Sequence, residues 1–242
     1  MNAIQTMSLT KRYGDKTAVD ALELTVKQGE LLALLGVNGA GKTTTVKMLS
    51  GLLRPTSGDA EILGYRLVSQ TQEVKKRINL SPQETAVAPK LTVRENLELI
   101  AGIYGGTRAQ AAERASAMLE EFHMQSVEKQ KAGTLSGGWQ RRLSIAMALI
   151  TKPEILFLDE PTLGLDVLAR RELWTIIERL KGKVTVILTT HYMEEAASLA
   201  DRVAIMAHGR LRLCGTVQEL LDKAGTSNFE DAFIKIAGGA EQ

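Results

Sequence analysis

The chain has 242 residues, in which 30 lysines and arginines stand against 28 aspartates and glutamates, and aromatic residues make up 4%. That length allows about one to two domains with a sizeable core, and near-balanced charge without basic–aromatic alternation excludes the electrostatic footprint of a nucleic-acid binder. The single cysteine, Cys214, allows no internal disulfide or cysteine metal cluster and fits a reducing cytoplasm; no signal peptide opens the chain, and no apolar stretch approaches the ~20 residues that cross a bilayer.

In chain order, Leu22, Leu24 and Val26 alternate with Glu23, Thr25 and Lys27, which predicts a half-buried strand. Leu31 to Leu35, bounded by Gly29 and Gly36, predicts a short buried strand. Gly36-Val37-Asn38-Gly39-Ala40-Gly41-Lys42-Thr43 follows, and Val46, Leu49 and Leu53 then recur at helical spacing, so this loop opens a helix. Each residue type in it has a separate physical task. Glycines let successive N–H groups turn inward around anionic oxygens, and the helix dipole adds partial positive charge. Lys42 brings a full charge to the β- and γ-phosphates, and the Thr43 hydroxyl is placed to ligate Mg²⁺. This is a P-loop, and it predicts a nucleotide site.

Between Gln83 and Ser136 the pattern turns helical. Thr92 with Glu95 and Thr107 with Gln110 have capping-box spacing. They open helices carrying Leu97, Ile100, Ala101 and Tyr104, then Ala111, Ala115, Met118 and Phe122. We read a small helical lobe, about residues 88–150, inserted into an α/β core. Near its end, Leu135-Ser136-Gly137-Gly138-Trp139-Gln140-Arg141-Arg142 precedes the apolar Ile145 to Ile150; alone, it reads equally as a loop capping a buried helix.

Ile155-Leu156-Phe157-Leu158 lacks alternation, which predicts a strand covered on both faces. It ends in Asp159-Glu160-Pro161, where open α/β sheets place ligands. Alone, this is equally a solvated strand end. Paired with the P-loop, Asp159 can hold Mg²⁺ through its water shell, and Glu160 can polarise the water that attacks a γ-phosphate. Asp166 reads as an N-cap for a helix through Leu173, Ile176 and Leu180. Val184 to Thr190 is a β-branched strand ending at His191. Arg202 to Ala207 and Arg210 to Cys214 predict strands joined by the His208-Gly209 turn, with Cys214 a buried structural thiol. A Thr216–Glu219 box then starts a further helix, and Phe229 to Ile234 reads as an amphipathic docking helix. His123, near a helix end, and His208 are read as structural.

The run Leu135 to Arg142, with the P-loop and the Asp159-Glu160 strand, resembles the signature of the ATP-binding cassette (ABC) ATPases. The order matches that family over nearly the whole chain: P-loop, Gln83 after a strand, signature, acidic strand, then His191 at another strand end. The resemblance implies a P-loop NTPase core with a mixed, mostly parallel sheet, an N-terminal antiparallel β portion and the inserted helical lobe, all within residues 1–242 as a single nucleotide-binding domain. It implies ATP contacts from Gly36, Asn38, Gly39, Ala40, Gly41, Lys42, Thr43 and Thr44. Tyr13 resembles the aromatic on which adenine stacks, although its local sequence reads equally as a half-buried strand end. Gln83 is similar to the glutamine that touches Mg²⁺ or the attacking water, so that Mg²⁺ would meet Thr43, Gln83 and Asp159. Glu160, His191 and Gln83 take the catalytic roles, with His191 contacting the γ-phosphate. Ser136, Gly137 and Gly138 would meet the ATP of a second chain, and Leu163-Gly164-Leu165-Asp166 resembles the loop that faces the other subunit's P-loop. One departure stands out: the family's usual signature has Gln where this chain has Trp139.

The resemblance extends to the exporter branch through Asp159 to Asp166, His191-Tyr192-Met193-Glu194-Glu195-Ala196 and Phe229 to Ile234. It implies an ATPase subunit working as a homodimer, or with a close relative, on a separate multi-spanning membrane permease. It would lie in the cytoplasm, peripheral on the inner face of the membrane. Importer subunits share these motifs and are the alternative, as is a non-transport ABC ATPase. A DNA-maintenance ATPase would need a long coiled coil between P-loop and signature, and a ribosome-associated factor usually carries two cassettes; neither fits.

Overall fold

A strand without a polar face needs cover on both sides, and the sequence holds two such runs beside the β-branched run Val184 to Thr190. In the computed structural model, which describes residues 1–238, all three lie in one sheet. The strands in chain order are β1 (Asn2–Tyr13), β2 (Lys16–Leu22), β3 (Thr25–Lys27), β4 (Leu31–Leu35), β5 (Ser57–Ile62), β6 (Tyr65–Arg66), β7 (Ile78–Ser81), β8 (Ile155–Asp159), β9 (Thr185–Thr190), β10 (Arg202–Ala207) and β11 (Arg210–Gly215). The larger sheet has the order β11-β10-β4-β9-β8-β7. Its strands from β10 to β7 run parallel, and only β11 turns back antiparallel, through the His208-Gly209 turn. Every residue of β4, β8 and β9 is buried.

Side chains of a strand alternate between faces, and β4 uses both. Leu32 and Leu34 pack with Val46, Met48 and Leu49 of α1 (Lys42–Leu49), whereas Ala33 and Leu35 pack with Ala196, Leu220 and Phe233. The remaining helices are α2 (Thr71–Lys75), α3 (Val93–Ile103), α4 (Arg108–Glu121), α5 (Gly137–Leu149), α6 (Val167–Glu178), α7 (Met193–Leu199), α8 (Val217–Ala224) and α9 (Phe229–Gly238). The helices α3, α4 and α5 are inserted between β7 and β8 and share one apolar cluster with Leu156, Leu158 and Leu188 of the sheet. All three capping boxes form; at Thr92, for example, the hydroxyl accepts from Glu95 N at 3.2 Å and Glu95 Oε2 accepts from Thr92 N at 2.7 Å. A cap of this kind contributes about 1 kcal/mol.

The N-terminal part is an antiparallel sheet built around β1, which pairs with β2, β3 and β5. The alternation from Leu22 to Lys27 holds in burial, but the run is two strands, not one. Ser8 and Ala21 adopt positive φ (47° and 44°), and side chains replace the ladder there. Glu23 Oε1 accepts from Ser8 N at 2.6 Å, and Thr6 Oγ1 accepts from Leu24 N at 2.7 Å. The helical pattern after the P-loop also overshoots: α1 stops at Leu49, and the amides of Leu52 and Leu53 both bond to Lys47 O at 2.9 Å. Likewise Leu180 lies beyond α6, although it is buried. His123 follows α4 at φ 53°, as a helix-end residue should. Cys214 is half-buried with Arg202 donating to its sulfur at 3.1 Å, and burial pushes the thiol up.

Candidate active site

The carboxyl ends of β4, β7, β8 and β9 converge, and the sequence puts its chemical residues there. After β4 the chain must turn sharply and approach other backbone closely. A side chain on Gly36 would put its Cβ 2.5 Å from Met206 O, and one on Gly41 would put it 2.6 Å from Ala18 O. Gly41 also sits at φ 104° as the N-cap of α1, with no side-chain cap bond. Only glycine fits either position, and the first amides of α1 are left free for an anion.

The loop lines a cavity of about 330 Å³ together with Tyr13, Lys16, Ala18, Asn38, Gly39, Ala40, Gly41, Lys42, Thr43, Thr44, Gln83, Glu160, Leu163 and His191. Most of the residues assigned from sequence to ATP therefore share one space. Lys42 is buried; its Nζ donates to Gly36 O at 2.7 Å and pairs with Glu160 Oε1 at 3.3 Å. The other Glu160 oxygen lies 2.8 Å from His191 Nδ1. Glu160 has a left-handed backbone, φ 49°. For a residue with a side chain this strain costs about 1–3 kcal/mol, and such strain gathers at functional sites.

Asp159, at the end of β8, is buried and bonds to the cavity residue Thr43. Its Oδ1 accepts from Thr43 Oγ1 at 3.2 Å and from Thr189 Oγ1 at 2.5 Å. Thr189 Oγ1 also accepts the Glu160 amide at 3.0 Å, so one hydroxyl orients both acids. The donor set suits Mg²⁺, which prefers hard oxygens and takes one or two protein groups plus substrate phosphates.

Tyr13 closes β1 at the cavity mouth, 50% exposed, with Lys11 Nζ 5.2 Å from its ring centroid. An accessible ring face is what base stacking requires. Ser136 and Gly137 are exposed and Gly138 half-buried at the start of α5, but none of them lines the cavity. Ser136 makes no side-chain cap bond, leaving its hydroxyl and the first α5 amides unused. Asp166 is exposed and does cap α6, accepting from Leu168 N and Ala169 N at 2.9 Å each.

Sequence reasoning missed Lys16, Thr189 and Arg141. Arg141 is buried on α5 and donates to Pro82 O at 2.6 Å and to Gln83 O, so the signature helix grips the Gln83 loop. Burial pulls its guanidinium below the usual range, while Asp159 acts in the opposite direction. The available signal was the tandem Arg141-Arg142 entering an otherwise apolar helix.

A family model described as ABC transporter matches residues 19–163. The chain belongs to the ABC transporter family. It is 44% identical over 239 residues to the daunorubicin resistance ATP-binding protein DrrA3 of Streptomyces coeruleorubidus, covering 98% of this chain and 75% of that protein. Among solved structures, an ATP-binding subunit of an ABC transporter superposes with a TM-score of 0.85 at 28% identity, over 97% of this chain and 99% of the other. The ATP-binding cassette MJ0796, solved as a dimer in a post-hydrolysis state with ADP and Pi, gives 0.79 at 26% identity, over 88% and 98% of the two chains. The P-loop NTPase core expected from the motifs is therefore the fold of this family, and the chain is an ABC ATPase.

Trp139, the departure from the family's signature, packs against the apolar cluster of the inserted helices. The Arg142 guanidinium lies 4.4 Å from its ring centroid and pairs with Glu172 of α6 at 2.5 Å. This favours a packing role. Trp139→Gln should keep ATP turnover and affinity within about threefold, while losing about 0.5–1 kcal/mol of stability from the cation–π contact. Parallel ATP titrations and denaturant melts check this, and a large change in ATP affinity would assign Trp139 to the nucleotide or the opposing chain.

Proposed function

We propose that the chain is the ATP-binding and ATP-hydrolysing subunit of an exporter, and that it drives a separate membrane permease through ATP-dependent closing and opening of a dimer. The observation that carries this reading is the division of the machinery. Lys42, Thr43, Glu160 and His191 line one cavity, with Asp159 bonded to Thr43, whereas Ser136, Gly137 and Gly138 stand outside it with unused donors. A second copy placed head to tail would supply the missing donors to each cavity. The assembly we propose is a dimer, of two copies or with a close relative, that holds two shared ATP molecules.

In that arrangement Tyr13 stacks on adenine and the P-loop amides cradle the phosphates. Phosphate oxygens replace the carbonyls and Glu160 as partners of the Lys42 ammonium. Thr43, Gln83 and, through its water shell, Asp159 would hold Mg²⁺, which when bound would supply positive charge to the phosphates. Glu160, freed from Lys42, polarises the attacking water. His191 donates from Nδ1 to Glu160, and with a proton on each ring nitrogen it would also donate from Nε2 to the γ-phosphate. Ser136 and Gly138 of one protomer meet the γ-phosphate bound by its partner, so hydrolysis removes the bridge. Arg141 connects this event to the Gln83 loop.

We read residues 1–242 as a single nucleotide-binding domain, with the helical lobe at about 88–150 and the signature near its end. Among the described residues no helix is long and apolar enough to cross a membrane. A pore would come from the permease partner, placing this subunit at the cytoplasmic face. The likeness to a daunorubicin resistance ATP-binding protein supports export over import.

Purified protein should release phosphate from ATP with added magnesium, and excess EDTA should reduce the rate to background. The neighbouring reading frame is expected to encode a multi-spanning protein, and co-expression with it should move the chain into the membrane fraction. Absence of magnesium-dependent turnover would sink the enzymatic reading. A chain that stays soluble beside that protein would sink the proposed partnership.

A further inference from the structure

The helix α7 follows His191 closely, and its first turn carries Glu195, whose exposure is 0%. No role in the chemistry above falls to this acid, yet it is wired into the site. Thr162, just beyond Glu160, donates its hydroxyl to Glu195 Oε1 at 2.8 Å. Trp174 of α6 donates its indole N–H to the same oxygen at 3.1 Å. The second oxygen, Oε2, is buried without a partner at ordinary hydrogen-bond geometry, and beside the carboxyl stands the Thr190 hydroxyl, which accepts from the Tyr192 amide at 2.9 Å and keeps its own proton to donate. A further tie joins the same two helices: the Arg170 guanidinium of α6 lies 4.9 Å from the Tyr192 ring centroid.

We propose that Glu195 is a positioning residue, which ties the loop bearing Glu160 and the helix α6 to the segment bearing His191, and so keeps the Glu160–His191 pair aimed at the P-loop. A main-chain movement on either side would otherwise change the 2.8 Å contact between those two residues. Burial, aided by the like charge of Glu160, holds the Glu195 carboxyl above the usual carboxylate range, against the hydrogen bonds that favour ionisation. A neutral acid suits the geometry. It places no second buried charge beside Glu160, and its Oε1 still accepts both hydrogen bonds.

This inference rests on the reading of the cavity as an ATP-hydrolysis site, so the parent protein is assayed first. A parent without magnesium-dependent ATP turnover would defeat that reading, independently of Glu195. With an active parent, kcat and KM for ATP are measured for Glu195→Gln, Glu195→Ala, Thr162→Val and Thr162→Ser. Glu195→Gln preserves the acceptor oxygen and the neutral shape, and Thr162→Ser preserves the hydroxyl; both should stay within about threefold of the parental kcat. Glu195→Ala and Thr162→Val should lose about 10- to 100-fold in kcat, with KM changed by less than about twofold, as expected when catalytic groups are misplaced without loss of ground-state binding. If Glu195→Ala fails to melt cooperatively, Thr162→Val decides, since it keeps side-chain volume and removes one donor. The proposal is overturned by parental kcat in Thr162→Val, by losses confined to KM, or by Glu195→Gln being as impaired as Glu195→Ala.

Discussion

Lys42→Ala is expected to bring ATP hydrolysis down to background while leaving the fold intact. In the cavity Lys42 is buried, with Nζ 2.7 Å from Gly36 O and 3.3 Å from Glu160 Oε1. An ammonium held there meets the β- and γ-phosphates through charge-assisted bonds worth about 1.5–3 kcal/mol each. Loss of two such bonds in the transition state lowers the rate by about 10²–10⁴-fold, at about 1.4 kcal/mol per factor of ten. The helix that starts at Lys42 is anchored elsewhere, by Val46, Met48 and Leu49, each 0% exposed. Far-UV circular dichroism should therefore be unchanged while phosphate release disappears. Near-normal turnover would remove the P-loop assignment.

Glu160→Gln separates binding from hydrolysis. The amide keeps the size and hydrogen-bonding capacity of the side chain but cannot polarise water as a carboxylate does. Lys42, Thr43 and Asp159 remain in place, so ATP still binds. Turnover should fall by about 10²–10⁴-fold, the scale of general acid–base catalysis. Equilibrium ATP binding measured beside steady-state phosphate release gives both numbers. Parental hydrolysis by this variant would dismiss Glu160 as the base.

The P-loop, the acid-ended strand and the capping boxes were legible in the sequence because their physics is local. Each depends on residue types within a few positions: glycine where a Cβ has no room, apolar runs where both faces are covered, Thr three residues before Glu or Gln. The break between β2 and β3 was not legible, because Glu23 and Thr6 replace ladder bonds through contacts across the sheet. The overshoot past α1 has a similar origin, since Leu53 is half-buried from a turn and mimics a helical position. The supporting residues of the site were hidden by distance along the chain. Arg141 reaches a carbonyl 58 residues away, Thr189 an acid 30 away, and Glu195 a threonine 33 away. Such pairs become visible only when the parallel strands bring their carboxyl ends together.

In the proposed dimer each ATP is shared between the P-loop of one protomer and the signature of its partner. Glu160→Gln tests it most directly, because the unhydrolysed γ-phosphate should hold two chains together, and a ligand that binds only the closed dimer drives assembly by mass action. Light scattering on the purified variant is expected to show a monomer without nucleotide, a dimer with ATP, and a monomer with ADP. A variant that stays monomeric at saturating ATP and high protein concentration would contradict the shared-site account.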